Sequence, residues 1–212
     1  MGELSASLFL TRSPIFTTRE FALLCGRRPD AASRSLTRLA NAGSIVRVTR
    51  GVWAQPAHPY FNPLAAVSHL LGGERGYVSF LTAMHLHGML SQIPSAIQIA
   101  TTGHTRGLRS PIGHYQFIQL KPAMMTDGIE LQPGNATFPI ATPEKALLDT
   151  LYVATRRGRR FARLPELELD ALRATEFKRM LDRLVTAPAA HSAICTRLAQ
   201  LAPGLVRDFR VS

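Results

Sequence analysis

An α+β fold in two parts follows from three features of this 212-residue sequence. Between Phe16 and Pro56, two short segments of helical period are separated by a Gly and a Pro, and two short apolar runs follow around an Arg-Gly pair. The prolines Pro56, Pro59 and Pro63 then break all periodicity and set a boundary near residue 60. Beyond them, period-two runs alternate with helical ones, the pattern of a mixed α/β domain with a small sheet and a helical C-terminal tail. The expected units are therefore residues 1–60 and residues 61–212.

Leu4 to Leu10 reads as a leading helix that packs through Leu4, Leu8 and Leu10. The Thr17-Thr18 pair offers a hydroxyl N-cap ahead of Phe21, Leu24 and Cys25, which share one helical face. Gly26 permits a turn, and Pro29-Asp30 supplies a tight connection and a second N-cap, so the next helix runs from about Ala31 to Ala42. Along it, Ala32, Leu36, Leu39 and Ala40 fall on one side, and Arg34, Thr37, Arg38 and Asn41 on the other. Gly43 stops the helix, and the runs Ser44 to Val48 and Val52 to Ala54 form a hairpin tipped by Thr49-Arg50-Gly51. Helix, turn, helix and hairpin in this order make a winged helix-turn-helix.

The outer helix face is rich in long donors and holds no acid, which points to double-stranded DNA as partner. Arg34 and Arg38, four residues apart, straddle base edges and phosphates when such a helix enters the major groove, with Thr37 and Asn41 beside them. Ser33, Arg47 and Arg50 are placed to meet mostly phosphates, and Thr18 and Arg28 complete the candidate DNA-contacting set.

Composition agrees with that partner. The 25 Lys and Arg outnumber the 14 Asp and Glu, giving a net charge of +11, and only Lys121, Lys145 and Lys178 are lysines. Arginine suits planar, bidentate contacts to phosphate and guanine, although a GC-rich coding bias also raises it. The excess extends beyond residue 60, so an acidic protein surface ranks second to nucleic acid. The acidic start Met1-Gly2-Glu3 does not read as a signal peptide, and no run approaches the roughly 20 apolar residues of a membrane span. A cytoplasmic protein is expected, with Cys25 and Cys195 as free thiols outside any disulfide or metal site.

Past the prolines, Leu64 to Leu71 is helical and ends at Gly72-Gly73. A further helix starts from Ser79 as N-cap and carries Leu81, Met84, Leu86 and Met89 on its apolar surface. Its His85 and His87 are two residues apart and point about 200° apart, so they cannot grip one metal ion and read as packed or capping side chains. Strands are expected at Ala96 to Thr101, His114 to Leu120 and Ala136 to Ala141, the first two alternating as in a sheet with one buried face. Gly103 to Arg109, between them, lacks the spacing of a nucleotide-binding phosphate loop and reads as a basic hairpin connection. Thr142-Pro143-Glu144 opens a helix by hydroxyl cap, Pro and first-turn acid, and Ala146, Leu147 and Leu151 pack it on the sheet. Arg156 to Arg163 holds five arginines in eight residues, either a solvated segment or an attractor for phosphate or an acidic protein. Leu167 to Leu172, Thr175 to Leu184 and His191 to Leu201 read as the helices of the tail.

The chain resembles the AbiEi antitoxins of type IV toxin-antitoxin systems and the bacterial regulators that share their architecture. The resemblance is carried by Arg50-Gly51-Val52-Trp53, by Tyr77-Val78-Ser79 leading into Ala83-Met84-His85-Leu86-His87-Gly88, by Pro94 before a strand ending in Thr101-Thr102, and by Thr142-Pro143-Glu144-Lys145-Ala146-Leu147-Leu148-Asp149. It implies a winged domain that binds inverted repeats in its own promoter and represses it. It also implies a second domain that counters a nucleotidyltransferase-type toxin, generally without a stable complex. Such a protein is not an enzyme, needs no cofactor, and acts as a monomer or as a pair assembled on DNA.

Two other classes stay open at this level. A solitary winged-helix regulator would use its second domain for a ligand or partner. A metal-dependent nucleic-acid enzyme would place Glu144, Lys145 and Asp149 in its site, although no Glu-x-Lys lies on a strand to support it.

Overall fold

The Thr17 hydroxyl accepts from the Glu20 N–H at 3.1 Å while the Glu20 carboxylate accepts from the Thr17 N–H at 2.6 Å, a reciprocal cap that starts the first long-range unit of the fold. The computed structural model describes residues 6–132, 137–156, 161, 163–201 and 203. In its N-terminal unit, α1 (Ala6–Leu10), β1 (Ile15–Thr17), α2 (Thr18–Leu24), α3 (Pro29–Asn41), β2 (Val46–Thr49) and β3 (Val52–Ala54) follow in order. The strands form an antiparallel sheet of order β1-β3-β2, with Ile15 opposite Ala54 and Thr17 opposite Val52. The expected hairpin therefore has a third strand, contributed by residues that the sequence marks only as the entrance to a helix.

Alternation along these strands serves two cores. Phe16 and Trp53 face the helices and pack with Phe9, Phe21, Ala32, Leu36 and Ile45. Ile15, Val48, Val52 and Ala54 point the other way, into the core of the rest of the chain. Phe9 meets Phe16 edge to face with ring centroids 4.9 Å apart, so it anchors α1, whereas Leu8 is 43% exposed, contrary to the expectation for that segment. On α2, Ala22 takes the buried place expected for Leu24, which lies exposed beside Leu23 at the outer edge of the helix. Pro29 occupies the first turn of α3 with Arg28 at the cap position, so Asp30 is not a cap and the helix starts two residues before Ala31.

Between the two parts, the proline-rich stretch is tied to both. The buried His58 ring accepts the Tyr60 N–H at Nδ1 and hence donates from Nε2 to the Thr11 carbonyl at 3.1 Å. Its tautomer is set by those two bonds. Tyr115 donates its hydroxyl to the Pro63 carbonyl at 2.9 Å.

The second part comprises α4 (Ala66–Leu71), β4 (Gly76–Val78), α5 (Phe80–Leu86), β5 (Ile97–Thr101), β6 (Arg106–Ser110), β7 (Gly113–Gln119), β8 (Ile129–Leu131), β9 (Pro139–Ala141), α6 (Pro143–Arg156), α7 (Ala174–Leu184) and α8 (Pro188–Leu201). Its six-stranded sheet has the order β6-β7-β5-β4-β9-β8; β5 pairs with β7 and β4 with β9 in parallel, and the other neighbours are antiparallel. The sheet is therefore mixed.

Several expectations are corrected here. β5 lies inside the sheet and is buried on both faces along most of its length, so its alternation does not mark a solvent face. The supposed connection Gly103 to Arg109 is largely edge strand β6, and the hairpin turns at Pro111-Ile112 instead. Leu86 is 45% exposed at the end of α5. Leu167 to Leu172 is not helical; it runs as a strap whose Glu168 N–H donates to the Met89 carbonyl at 3.0 Å. Of the arginine-rich run, Arg157, Arg159 and Arg160 lie outside the described residues, while Arg156 stacks on the Tyr152 ring and donates to its hydroxyl.

Candidate nucleic-acid interface

α3 is held by one buried stripe, Ala32, Ser35 and Leu36, with Leu39 and Ala40 half-buried below it. The four residues that the sequence places on the opposite side, Arg34, Thr37, Arg38 and Asn41, are exposed, and so is Ser33. Thr37 donates its hydroxyl to the Ser33 carbonyl at 2.9 Å, a back-bond that fixes its rotamer while its methyl and oxygen remain on the surface. Ser35 is the one polar member of the buried stripe, and its oxygen accepts from Arg27 at 2.7 Å and from Arg38 at 3.5 Å. Arg27 thus braces the turn before α3 against the helix itself. Helical periodicity cannot find it, because Arg27 lies in the turn.

The hairpin beside α3 has its own logic. Gly51 adopts φ +79, a left-handed conformation that lets Arg50 occupy the exposed tip. The Arg47 guanidinium lies 5.8 Å from the Trp53 ring centroid, and its Nε donates to the Thr49 carbonyl at 3.4 Å. Trp53 in turn donates Nε1–H to the Thr18 hydroxyl at 2.9 Å, and the Thr18 N–H donates to the Gly51 carbonyl at 2.9 Å. Thr18 is half-buried in this joint between α2 and β3, so among the candidate set it is the residue most tied to the scaffold. Arg28, Arg34 and Arg50 are exposed. The surface that results is mainly cationic, with the exposed Asp30 in the first turn of α3 as the one acid on the helix face.

The second part brings together two of the segments that carry the resemblance. Tyr77 and Ser79, at the end of β4, both donate hydroxyls at 2.8 Å to one oxygen of Asp149, and the Lys145 ammonium donates to the other. Ser79 is therefore not the side-chain cap of α5; its hydroxyl turns to α6. Lys145, Asp149 and Ser79 have no exposed surface, and Tyr77 has 1%. Burial pushes the Lys145 amine below its ordinary value although Asp149 opposes the change, and burial together with Asp149 pushes the Tyr77 phenol up. Glu144, also fully buried, accepts from the Arg173 N–H and Nε, each at 3.0 Å. Burial alone would raise its carboxyl, but the Arg173 bonds outweigh it and hold the group below its ordinary 4.5.

Glu144, Lys145 and Asp149 have no exposed surface and spend their charges on partners within the protein, the arrangement of a structural network rather than of an open site. His85 and His87 each donate to a carbonyl, of Leu90 at 2.8 Å and of Ala141 at 2.7 Å, and so act as ties at the two ends of their turn. Among the described residues, no group of three or more His, Cys, Asp or Glu side chains is placed to hold a metal, and no helix is long and apolar enough to cross a membrane. Neither Cys25 nor Cys195 is in a disulfide, and the Cys195 sulfur lies 3.7 Å from His191 Nδ1.

Comparison with known proteins bears on both parts unequally. Residues 3–56 match the family described as "Transcriptional regulator, AbiEi antitoxin". No curated protein matches the chain by sequence. Among solved structures, the chain is similar to the RV2827C protein from Mycobacterium tuberculosis, with 17% identity, a TM-score of 0.57, and coverage of 94% of this chain and 77% of that one. That likeness concerns the fold alone.

Proposed function

We propose that the N-terminal unit, the segment matching a family of transcriptional regulators, is a winged helix-turn-helix that binds double-stranded DNA with α3 in the major groove. The observation that carries this is the face of α3 that presents Ser33, Arg34, Thr37, Arg38 and Asn41 to solvent, with Asp30 at the helix start as its one acid. Arg34, Thr37, Arg38 and Asn41 contact bases; Ser33, Arg28, Arg47 and Arg50 contact phosphates, and Thr18 supports the wing through Trp53. Residues 1–60 are the DNA-binding domain and residues 61–212 the antitoxin-type domain, in a cytoplasmic protein.

The chain acts in this reading as the repressor and antitoxin of a type IV toxin-antitoxin system. It reads inverted repeats in its own promoter as a pair of copies assembled on DNA, and its second domain counters a nucleotidyltransferase-type toxin. The match over residues 3–56 supports the regulatory half.

The test is titration of the purified protein onto a duplex of its own upstream region, beside a scrambled duplex, at two salt concentrations. Specific binding predicts a preference on the order of 4 kcal/mol or more for its own promoter. Equal, strongly salt-dependent binding to both duplexes would overturn the repressor reading. Co-expression with the neighbouring gene product then tests the antitoxin half: relief of growth arrest supports it, and continued arrest leaves a solitary regulator.

A further inference from the structure

We propose that the second part of the chain binds a small organic anion with an aliphatic arm, in the cleft at the carboxyl ends of β5 and β7. These two strands are parallel neighbours, and the chain leaves them in different directions, through Thr102 into the β6 hairpin and through Lys121 towards β8. Divergence of that kind opens a crevice beyond the strand ends, a favoured place for ligands in sheets with parallel strands. Here the crevice is a cavity of about 510 Å³ whose walls include Thr102, Gln119, Lys121, Tyr152 and Arg156. Such a volume is that of an ordinary small-molecule site.

A second depression, of about 380 Å³, shares Lys121, Tyr152 and Arg156 with the first. Its remaining wall is mostly apolar, with Met124, Leu184 and Val185 among its residues. The two cations therefore stand on the divide between a hollow of mixed lining, where Leu120, Pro122 and Val153 accompany the polar groups, and a more apolar one. Among the described residues, no carboxylate lines either. Lys121 offers a point charge on a flexible stem, whereas Arg156 is oriented by its stacking 5.1 Å from the Tyr152 ring centroid.

The same stacking decides the shape of the ligand. Tyr152 is only 7% exposed and Arg156 stacks on its ring, so among the described residues the site presents no open aromatic face to a nucleobase. An anionic head at Lys121 and Arg156 with an aliphatic arm along the Met124, Leu184 and Val185 wall satisfies both hollows. The head is a carboxylate or a phosphate, since both accept from an ammonium and a guanidinium. Nothing in this inference rests on the DNA-binding reading, and its test does not use promoter DNA as ligand.

Calorimetric titration of the full chain with decanoate, decyl phosphate, inorganic phosphate and the neutral decyl maltoside, all below their micellar concentrations, tests the site. Saturable one-to-one binding of decanoate or decyl phosphate is expected, with the tighter of the two identifying the head group. Lys121→Glu or Arg156→Glu, each at an exposed position, should weaken that binding on the order of tenfold while circular dichroism stays unchanged. Ala189→Trp, on the rim of the apolar hollow, should weaken the amphiphiles and leave inorganic phosphate as it was. The proposal falls if neither amphiphile saturates, if decyl maltoside binds as tightly, or if both charge reversals leave affinity intact. It also falls if those reversals act only on binding to a nonspecific duplex, which would assign the two cations to nucleic acid.

Discussion

α3 and α6 are helices of nearly equal length that carry charged side chains at helical spacing, and the protein uses those charges in opposite ways. On α3 the cations lie on the face away from the core and remain solvated, where they cost nothing to the fold and are free to meet a charged partner. On α6, Glu144, Lys145 and Asp149 are buried among residues 144–154, all of them enclosed; Glu144 and Asp149 are held by partners from elsewhere in the chain, and Lys145 by Asp149 one turn on. The contrast teaches that charge on a helix carries no functional meaning until its burial is known. An isolated buried charge is expensive, so a buried pair persists only where additional donors complete it, as Tyr77 and Ser79 do here.

The sharpest way to break the contrast is to remove one partner of the buried pair. Asp149→Ala leaves Lys145 and two hydroxyls unpaired in the core and should cost about 3–5 kcal/mol in urea unfolding. A cost near zero would mean that the network is not what joins β4 to α6.

Base contacts come next. Arg38→Ala should leave the unfolding midpoint almost unchanged, yet relax discrimination at one base pair by about 1–3 kcal/mol in competitive duplex binding. Should it destabilise the protein as Asp149→Ala does, the two helices would not differ in the way their burial implies.

Acid sharpens the comparison further. The Glu144 and Glu74 carboxyls lie below their ordinary 4.5 in the folded protein, and Asp182 lies below its ordinary 3.8. Their folded-state values are depressed, so the stability they contribute is present above the unfolded value and is lost as pH falls through the folded one. Unfolding midpoints should therefore drop below about pH 4.5, and Glu144→Gln should make that fall shallower. An unchanged slope in the variant would remove Glu144 from the account.

The smallest effect belongs to the wing. Arg50→Ala should weaken binding to all duplexes alike and lower the salt slope by about one unit, with no change in base preference.

Much of the N-terminal unit is legible because its signals are local. Thr17 and Glu20 cap α2 through neighbours three residues apart, the polar and apolar sides of α3 repeat within the helix, and Arg50-Gly51 turns the hairpin through its own backbone. β1 is not legible, since three residues carry no period of their own and become a strand only by pairing with β3, far along the chain. Arg27 escapes for a similar reason: its anchor, Ser35, lies on the next helix.

In the second part, Thr142-Pro143-Glu144 marks the start of α6 correctly, but nothing local reveals that residues 144–154 of the helix are all buried. Local sequence by itself determined where α2 and α6 begin, which α3 side chains are polar, and that the chain turns at Arg50-Gly51, because caps, periods and left-handed glycines act over a few residues. Only the tertiary structure decided that β5 is covered on both faces, that Arg106–Ser110 is an edge strand, and that Lys145 and Asp149 face Tyr77 and Ser79. Strand order and burial depend on which distant segments meet, and the energetic meaning of a charge depends on the dielectric and donors those segments bring to it.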